Sequence, residues 1–393
     1  MRCTLLKGGH VFDPEDRGAV DVLIVGREIA VVGADLPQPR GIGDGEVVDA
    51  SRRILLPGLI DPHLHVMGAS GLGGPLTRST DLQIERITTV GVTTVVSPLG
   101  ADSLSRTVPC LLARAAALEC EGISAYCYTG GWGNPVPTVS GNPQADVAYV
   151  DHILGVKVAV SEAMAPAYTV EELCRLAHAA WTGGRLAGKR AVLHAHAGDL
   201  PDGLLPIREV QRRTGIPADT LMVTHVNRNP NLWRQAMEFA RAGGSIDLTT
   251  MQRPETHHLH AIPAARAIRE ALAAGVPAAR MTLSTDSGVP YPQLDASGNV
   301  VGLYMAGPDA ILATLRELVE AGFSWGAAAA FATAHTAAVL GVSRKGKLAA
   351  GADADILILE ADGRVDRVFA RGRELVRNGQ PLVWGAFGGH ART

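Results

Sequence analysis

The sequence has little of what marks several large classes of protein. Only 4% of its 393 residues are aromatic and 19% are charged, and the formal net charge is −3. It has no run of basic residues, so we expect no nucleic-acid partner. No apolar segment is long and uncharged enough to span a bilayer, so we expect no membrane partner. The 47% hydrophobic content is typical of a globular chain, and the length fits one large domain with an accessory, or two domains.

Cysteine is also scarce. The five cysteines are odd in number, scattered, and never in a Cys-x-x-Cys spacing: Cys3, Cys110, Cys120, Cys127 and Cys174. This argues against a disulfide framework and against a cysteine zinc site. Charged residues, among them Lys7 and Asp13, interrupt any apolar core of a signal peptide. We therefore expect a cytoplasmic protein.

Nucleotide-binding motifs are missing as well. No Gly-x-Gly-x-x-Gly follows the first strand of the central region, which disfavours a doubly wound open sheet, the main alternative fold. The glycine-rich stretch Gly68–Gly74 lacks the Lys-Ser/Thr of a phosphate-binding loop. We interpret it as an active-site loop.

The two ends of the chain have similar patterns. Short β-rich runs at 20–25 and 29–32 are matched by runs at 355–359 and 367–370. Neither end has enough strands for a stable sheet alone. We expect them to pair into one small β-sandwich, contributed by residues 1–57 and 344–393.

The central region, residues 58–343, alternates strands with alanine-rich helices. Eight strands are predicted, at 60–65, 92–97, 123–129, 156–160, 192–196, 221–225, 245–249 and 281–286. Eight strand–helix units in this length predict an α/β protein with a (β/α)8 TIM barrel.

Polar residues fall at the predicted strand ends, where barrel active sites lie. His63 and His65 would face the same way on the first strand, since alternate side chains share a face. The others are Lys157, His196, His225 and Asp286. A strand-end histidine is often only a hydrogen-bonded core residue, as we expect for His194, and a strand-end aspartate often caps a helix. Six such residues at one barrel mouth nevertheless favour a metal site.

Several segments together resemble the amidohydrolase superfamily, and within it the isoaspartyl dipeptidase group. They are Pro14-Glu15-Asp16-Arg17-Gly18, Gly58-Leu59-Ile60-Asp61-Pro62-His63-Leu64-His65, Glu121-Gly122-Ile123-Ser124-Ala125, Gly155-Val156-Lys157, Thr224-His225-Val226-Asn227-Arg228-Asn229 and Gly351-Ala352-Asp353-Ala354-Asp355. The resemblance covers almost the whole length, and the Thr-His-Val-Asn-Arg-Asn segment is specific to the dipeptidase group.

The resemblance implies a binuclear metal hydrolase that forms homo-oligomers. His63, His65 and Asp286 would hold one divalent ion, with zinc expected, while His196 and His225 would hold the second. Lys157 would bridge the two ions as a carbamate on Nζ, because an ammonium has no lone pair for a metal. A shared hydroxide would attack the amide carbonyl, and Asp286 would act as base and then acid.

The expected substrate pocket departs from the dipeptidase pattern. Five positions that would contact a charged dipeptide carry other residues: Leu72, Ala101, Trp132, Met164 and Pro290, the last followed by Tyr291. Arg228 alone clearly remains. We therefore predict a small, less charged amide substrate, either an N-acyl amino acid or a cyclic imide or lactam. A genuine isoaspartyl dipeptidase and a metal-retaining binding protein without catalysis stay open as alternatives.

The loss of a tyrosine at Trp132 also removes a hydrogen-bond donor for the carbonyl oxygen. Tyr291, Asn134, His257 or His258 are candidates to replace that donor.

Overall fold

The structure is a computed structural model that describes residues 3–39, 45–69, 72–254, 260–294, 300–386 and 388. His257 and His258, proposed above as donors, lie outside the described residues.

Both ends of the chain build one mixed sheet. Its strands are β1 (Cys3–Asp13), β2 (Glu15–Val25), β3 (Glu28–Gly33), β4 (Gly45–Asp49) and β5 (Ile54–Pro57), followed near the other end by β16 (Ile356–Leu359), β17 (Val365–Ala370), β18 (Arg373–Arg377) and β19 (Gln380–Pro381). The two ends join where Ile54 to Pro57 pair antiparallel with Leu359 to Ile356. A separate apolar cluster, including Leu6, Ile24 and Phe369, fills this small β-domain.

The central region forms an eight-stranded parallel sheet in sequential order. Its strands are β6 (Leu59–Asp61), β7 (Val92–Ser97), β8 (Ser124–Gly130), β9 (Ile153–Val160), β10 (Val192–Ala197), β11 (Leu221–Thr224), β12 (Ser245–Thr249) and β13 (Met281–Ser284). Between the two end strands, loop residues complete the ring, since Leu283 N–H donates to Phe331 O and Ile60 N–H donates to Ala332 O. The predicted fold class, a (β/α)8 barrel with a small β-domain from both ends, is confirmed, and the strands of that domain, predicted as a β-sandwich, pair in one mixed sheet. The residue boundaries proposed for the domains stay a prediction.

Helices follow the barrel strands and bury their apolar faces against them. They are α1 (Ile84–Thr88), α2 (Val108–Glu121), α3 (Pro143–Tyr149), α4 (Val170–Leu186), α5 (Leu205–Arg213), α6 (Pro230–Arg241), α7 (Ala264–Ala273), α8 (Asp309–Glu320), α9 (Trp325–Ala330) and α10 (Ala334–Leu340). Capping side chains begin several of them, as at Thr169, which forms a capping box with Glu172 at the start of α4. Among the described residues, no helix is both long and apolar enough to cross a membrane.

A hairpin of two strands, β14 (Pro290–Leu294) and β15 (Val300–Met305), extends from the end of the last barrel strand. The sequence did not predict it. The other end of the barrel is filled by α10, where Val339 and Leu340 pack against Ile60, Val96 and Met222 of the barrel interior.

Three of the predicted strand ends are wrong. The first strand ends at Asp61, so His63 and His65 lie in the turn beyond it and do not share a strand face. His225 and Asp286 likewise follow their strands, which end at Thr224 and Ser284. Sequence patterning missed these ends because the turns are short and the change of backbone conformation leaves no mark in the sequence, and contacts with distant turns set it.

Lys157 was also predicted at a strand end, and it lies in the middle of β9. It reaches the mouth of the barrel because a lysine side chain is long, not because the strand stops there.

Candidate active site

A cavity of about 340 Å³ opens at the carboxyl ends of the barrel strands. Twelve of the side chains that the sequence singled out line it, at positions 63, 65, 72, 101, 132, 157, 164, 196, 225, 228, 286 and 291. The barrel thus brings together residues that are spread over more than 220 positions of the chain (63 to 291).

The turn after β6 is fixed to the turn after β13 by backbone hydrogen bonds. Asp286 N–H donates to His63 O at 2.9 Å, and His65 N–H donates to Ser287 O at 2.7 Å. Gly288 has a φ of 89°, and a Cβ there would lie 2.4 Å from His65 O, so only glycine permits this approach. Together these contacts place Oδ1 of Asp286 3.2 Å from Nε2 of His65 and 3.5 Å from Nε2 of His63.

His225 and Asp286 both have left-handed backbone conformations, with φ of 66° and 57°. Non-glycine residues adopt this region rarely and at a cost of about 1–3 kcal/mol, and they do so most often at functional sites. The turn directs each side chain into the barrel mouth. One nitrogen of His63, one of His225 and one Asp286 oxygen lie within 4.8 Å of one another, a spacing that could hold a metal ion.

The imidazoles are held by specific partners. Nδ1 of His225 is 2.8 Å from Oγ1 of Thr249, and Nδ1 of His63 is 3.0 Å from Nε2 of His194. Burial lowers the pKa of His196 to about 4 and holds the pKa of His63 well below its ordinary value. These rings are therefore neutral near pH 7, which is the form that can donate a lone pair to a metal.

His194 supports His63 from the barrel interior. Its ring is stacked on Tyr128 with centroids 4.6 Å apart, and the Tyr128 hydroxyl donates to the backbone oxygen of Pro62. The sequence predicted a core or supporting role for His194, and the geometry agrees with a support that fixes the orientation of His63.

Lys157 is buried, with 1% of its surface exposed, and its Nζ has no hydrogen-bond partner. Burial lowers the pKa of its amine to about 7, although Asp286 and Asp247 oppose the shift. A buried amine without a partner is costly, since its hydrogen-bonding capacity is lost on folding. Lys157 therefore presents an unpartnered amine to the cavity, among the histidines and Asp286.

Asp247 lies beneath this group and was not predicted from the sequence. Its carboxylate accepts hydrogen bonds from the hydroxyls of Thr224, Thr282 and Ser284 at 2.5–2.7 Å. Burial nonetheless raises the pKa of Asp247 to about 6. Hydroxyl-bearing residues spaced along strand interiors are the only signal in the sequence that could have indicated it.

A second unpredicted carboxylate, Glu162, lies at the polar side of the cavity. Its Oε2 is 3.3 Å from Nε2 of His196 and 3.3 Å from Nη1 of Arg228. The hydrogen bond from His196, and after it the charges of His196 and Arg228, lower the pKa of Glu162 to about 2. Arg228 also donates to Oδ2 of Asp199 at 3.4 Å. The arginine that the sequence assigned to substrate is therefore already paired with two acids of its own chain.

Several of the residues that line the cavity are apolar. They include Leu72, Ala101 and Met164, and the indole of Trp132 meets the ring of His196 edge-on with centroids 4.9 Å apart. The side chains of Leu72 and Met164 are exposed, at 57% and 62%, as expected for a pocket rim. We refer to these substituted positions together as the apolar wall of the cavity.

Of the two candidate hydrogen-bond donors among the described residues, Tyr291 reaches the centre of the site. Its hydroxyl donates to Oδ2 of Asp286 at 3.0 Å. Asn134 instead donates to Glu172 at the surface and does not line the cavity. The prediction that Asn134 could serve the reacting carbonyl is therefore wrong, because its loop turns it outward.

Comparisons with known proteins agree with this architecture. The amidohydrolase family profile matches residues 54–375. A beta-aspartyl dipeptidase from Fervidobacterium islandicum, solved in complex with the beta-Asp-Leu dipeptide, is 33% identical. Its match covers 96% of this chain and 98% of that one, with a TM-score of 0.87.

Two other matches are weaker. A dihydropyrimidinase from Brevibacillus agri shares the fold with a TM-score of 0.66 at 18% identity, covering 97% of this chain and 96% of that one. A dihydroorotase from Acetivibrio thermocellus is 38% identical over 64 residues, which are 16% of this chain and only 14% of that protein's length. The family profile and the dipeptidase, with the cavity just described, lead to one conclusion: the chain is a hydrolytic enzyme of the amidohydrolase family, similar over nearly its whole length to beta-aspartyl dipeptidase.

Proposed function

We propose that this enzyme hydrolyses the amide bond of a small molecule at a site with two divalent metal ions, and that its substrate is less charged than a β-aspartyl dipeptide. The observation that carries the proposal is the convergence of four neutral or buried nitrogen ligands, one carboxylate and an unpartnered lysine at the barrel mouth. The apolar wall of the same cavity carries the inference about the substrate.

The ligand set fits divalent metal ions such as zinc. His63, His65 and Asp286 would hold one ion, His196 and His225 the other, and Lys157 as its carbamate would join both. Nitrogen and carboxylate donors suit zinc, and Nδ1 of His65 and Nζ of Lys157 are buried without partners among the described residues. When bound, the ions would activate water near neutral pH and polarise the carbonyl.

Asp286 is the residue suited to move the proton. Burial would raise its pKa, but the hydrogen bond and charge of His65 outweigh burial and keep the pKa below its ordinary value. Its carboxylate is therefore ionised near pH 7 and can accept a proton from water before passing it to the departing nitrogen. The hydroxyl of Tyr291 holds Oδ2 of Asp286 toward the cavity.

The pocket supports a substrate with few charges. Leu72 and Met164 offer no partner for an ammonium or a carboxylate, and Trp132 offers a flat apolar face. An N-acyl amino acid and a cyclic imide or lactam both fit such a wall. The similarity to a beta-aspartyl dipeptidase solved with beta-Asp-Leu keeps the genuine dipeptidase as the second candidate.

A metal-retaining protein without catalysis fits the site less well. Asp286 and Tyr291 form a hydrogen-bonded pair that points into the cavity, and an idle metal site would need neither. We therefore place catalysis in this cavity.

The test is a side-by-side measurement of kcat/KM on β-aspartyl-leucine, N-acyl amino acids and cyclic imides with zinc-loaded enzyme. The dipeptide lacks two hydrogen bonds to its charged groups in this pocket. Its kcat/KM should therefore be lower than that of the preferred substrate by about two to four powers of ten. Chelation should abolish turnover of the preferred substrate. A kcat/KM above about 10⁴ M⁻¹s⁻¹ for the dipeptide would show that the enzyme is a genuine dipeptidase. If no amide is turned over, the result would support the alternative of a metal-retaining binding protein without catalysis.

We also place the enzyme in the cytoplasm as a homo-oligomer. All five cysteines are free and two of them are buried, which suits a reducing compartment. The oligomeric state rests on the family resemblance alone.

A further inference from the structure

Arg228 has little capacity left for a substrate. Its side chain is 10% exposed, its Nη1 donates to both Glu162 and Asp199, and its Nε is buried with no partner. A carboxylate that docks on an arginine uses two parallel N–H groups, and the face that includes Nε is closed to solvent. Arg228 is thus a poor receptor for a free carboxylate as it stands.

Glu162 is the more firmly held of its two acidic partners. The Glu162 side chain is 13% exposed, whereas that of Asp199 is 58% exposed. The Glu162 carboxylate accepts hydrogen bonds from His196, Arg228 and the backbone of Met164. A buried, well-bonded carboxylate acts strongly on its neighbours, while the charge of an exposed one is screened by water.

The local charges disfavour a second carboxylate. Around Arg228 itself, one arginine and two acids sum to −1, apart from the metal ions proposed for the centre of the cavity. An incoming carboxylate would have to displace Glu162 from Arg228 or lie close to it.

We propose that Glu162 is a specificity-determining residue, which occupies the carboxylate-binding position on Arg228 and so selects ligands with a neutral polar group at that end. The inference rests on the proposed function, because it concerns the same cavity. It narrows the substrate class to amides that present a carbonyl or carboxamide, such as a cyclic imide, to Arg228.

The experiment compares two matched ligands, N-acetylglycine and its neutral amide, by calorimetric binding to zinc-loaded enzyme. The wild type should bind the amide at least as tightly as the acid. Glu162→Gln keeps the shape and removes the charge, so the affinity of the acid relative to the amide should rise about tenfold. Glu162→Ala should shift the ratio in the same direction, which covers the case that one variant folds poorly. Asp199→Asn removes the exposed partner and should change the ratio by less than about threefold.

An unchanged ratio in both Glu162 variants would overturn the proposal. An equal shift in Asp199→Asn would overturn it too, because the effect would then come from general charge. Failure of either ligand to bind wild type and Glu162→Gln would also count against it. Failure of the proposed function is separate, since it would appear as absent turnover of every amide while these binding ratios can still be measured.

Discussion

At the scale of single residues, the side-chain chemistry made the functional role of some positions predictable from sequence and gave no indication of others. Lys157 stood out because a lysine inside an apolar strand is costly to bury. Glu162 did not, because a glutamate in a loop after a strand is ordinary until its partners are known. Those partners, His196 and Arg228, are 34 and 66 positions away in the chain.

The lowered pKa of Lys157 gives a prediction about loading of the metal-free protein. Only the neutral amine reacts with carbon dioxide, and a pKa of about 7 means that the ammonium dominates below pH 7 and the amine above it. With zinc and bicarbonate present, the rate of activation should therefore rise from pH 6 to 7 and level off by about pH 8 after correction for the carbon dioxide concentration. If Lys157 had the pKa of an ordinary lysine, the activation rate would keep rising to about pH 10.

Stopped assays of regained activity at each pH measure this rate. The same series without bicarbonate is the control, and Leu186→Ala should behave like wild type because its side chain is exposed at the end of α4 and does not line the cavity. Activation that ignores bicarbonate, together with an active Lys157→Ala variant, would contradict the carbamate.

At the scale of elements, the type of each barrel strand was predictable, while several of the strand ends were not. The helix α7 is readable from sequence, since its apolar positions repeat with the helical period and Pro263 precedes it. The first barrel strand was predicted to run through His65 and ends at Asp61. His63 and His65 still point to one place, but the turn achieves this through hydrogen bonds to residues 286 and 287, more than 220 positions away.

The helix α10 gives a prediction about stability. Leu340 is 1% exposed and packs into the barrel interior, so Leu340→Ala should lower the free energy of unfolding by about 2–5 kcal/mol. Leu186, at the end of α4, is 65% exposed, and Leu186→Ala should change that free energy by about 0.5 kcal/mol or less. Urea unfolding of both variants measures the difference. Equal effects would show that α10 does not close the barrel as described.

At the scale of the whole molecule, the architecture followed from the order of elements. Alternating strands and helices predict a parallel barrel, and two half-domains that cannot fold alone predict that the chain ends meet. The hairpin β14–β15 was missed because residues 290–305 carry prolines and no clear alternation. It matters for function, since it holds Tyr291 against Asp286. The features of the structure that could not be predicted from the sequence are those set by contacts between loops that are distant in the chain.

The account's central claim, that the barrel mouth is a binuclear metal site, is tested most directly by the metal content of purified protein. Elemental analysis should find about two divalent ions per chain in the wild type. His225→Ala should retain about one or fewer, and Met164→Ala should match the wild type. A full complement of metal in His225→Ala, or no bound metal in the wild type after exposure to zinc and bicarbonate, would contradict the claim.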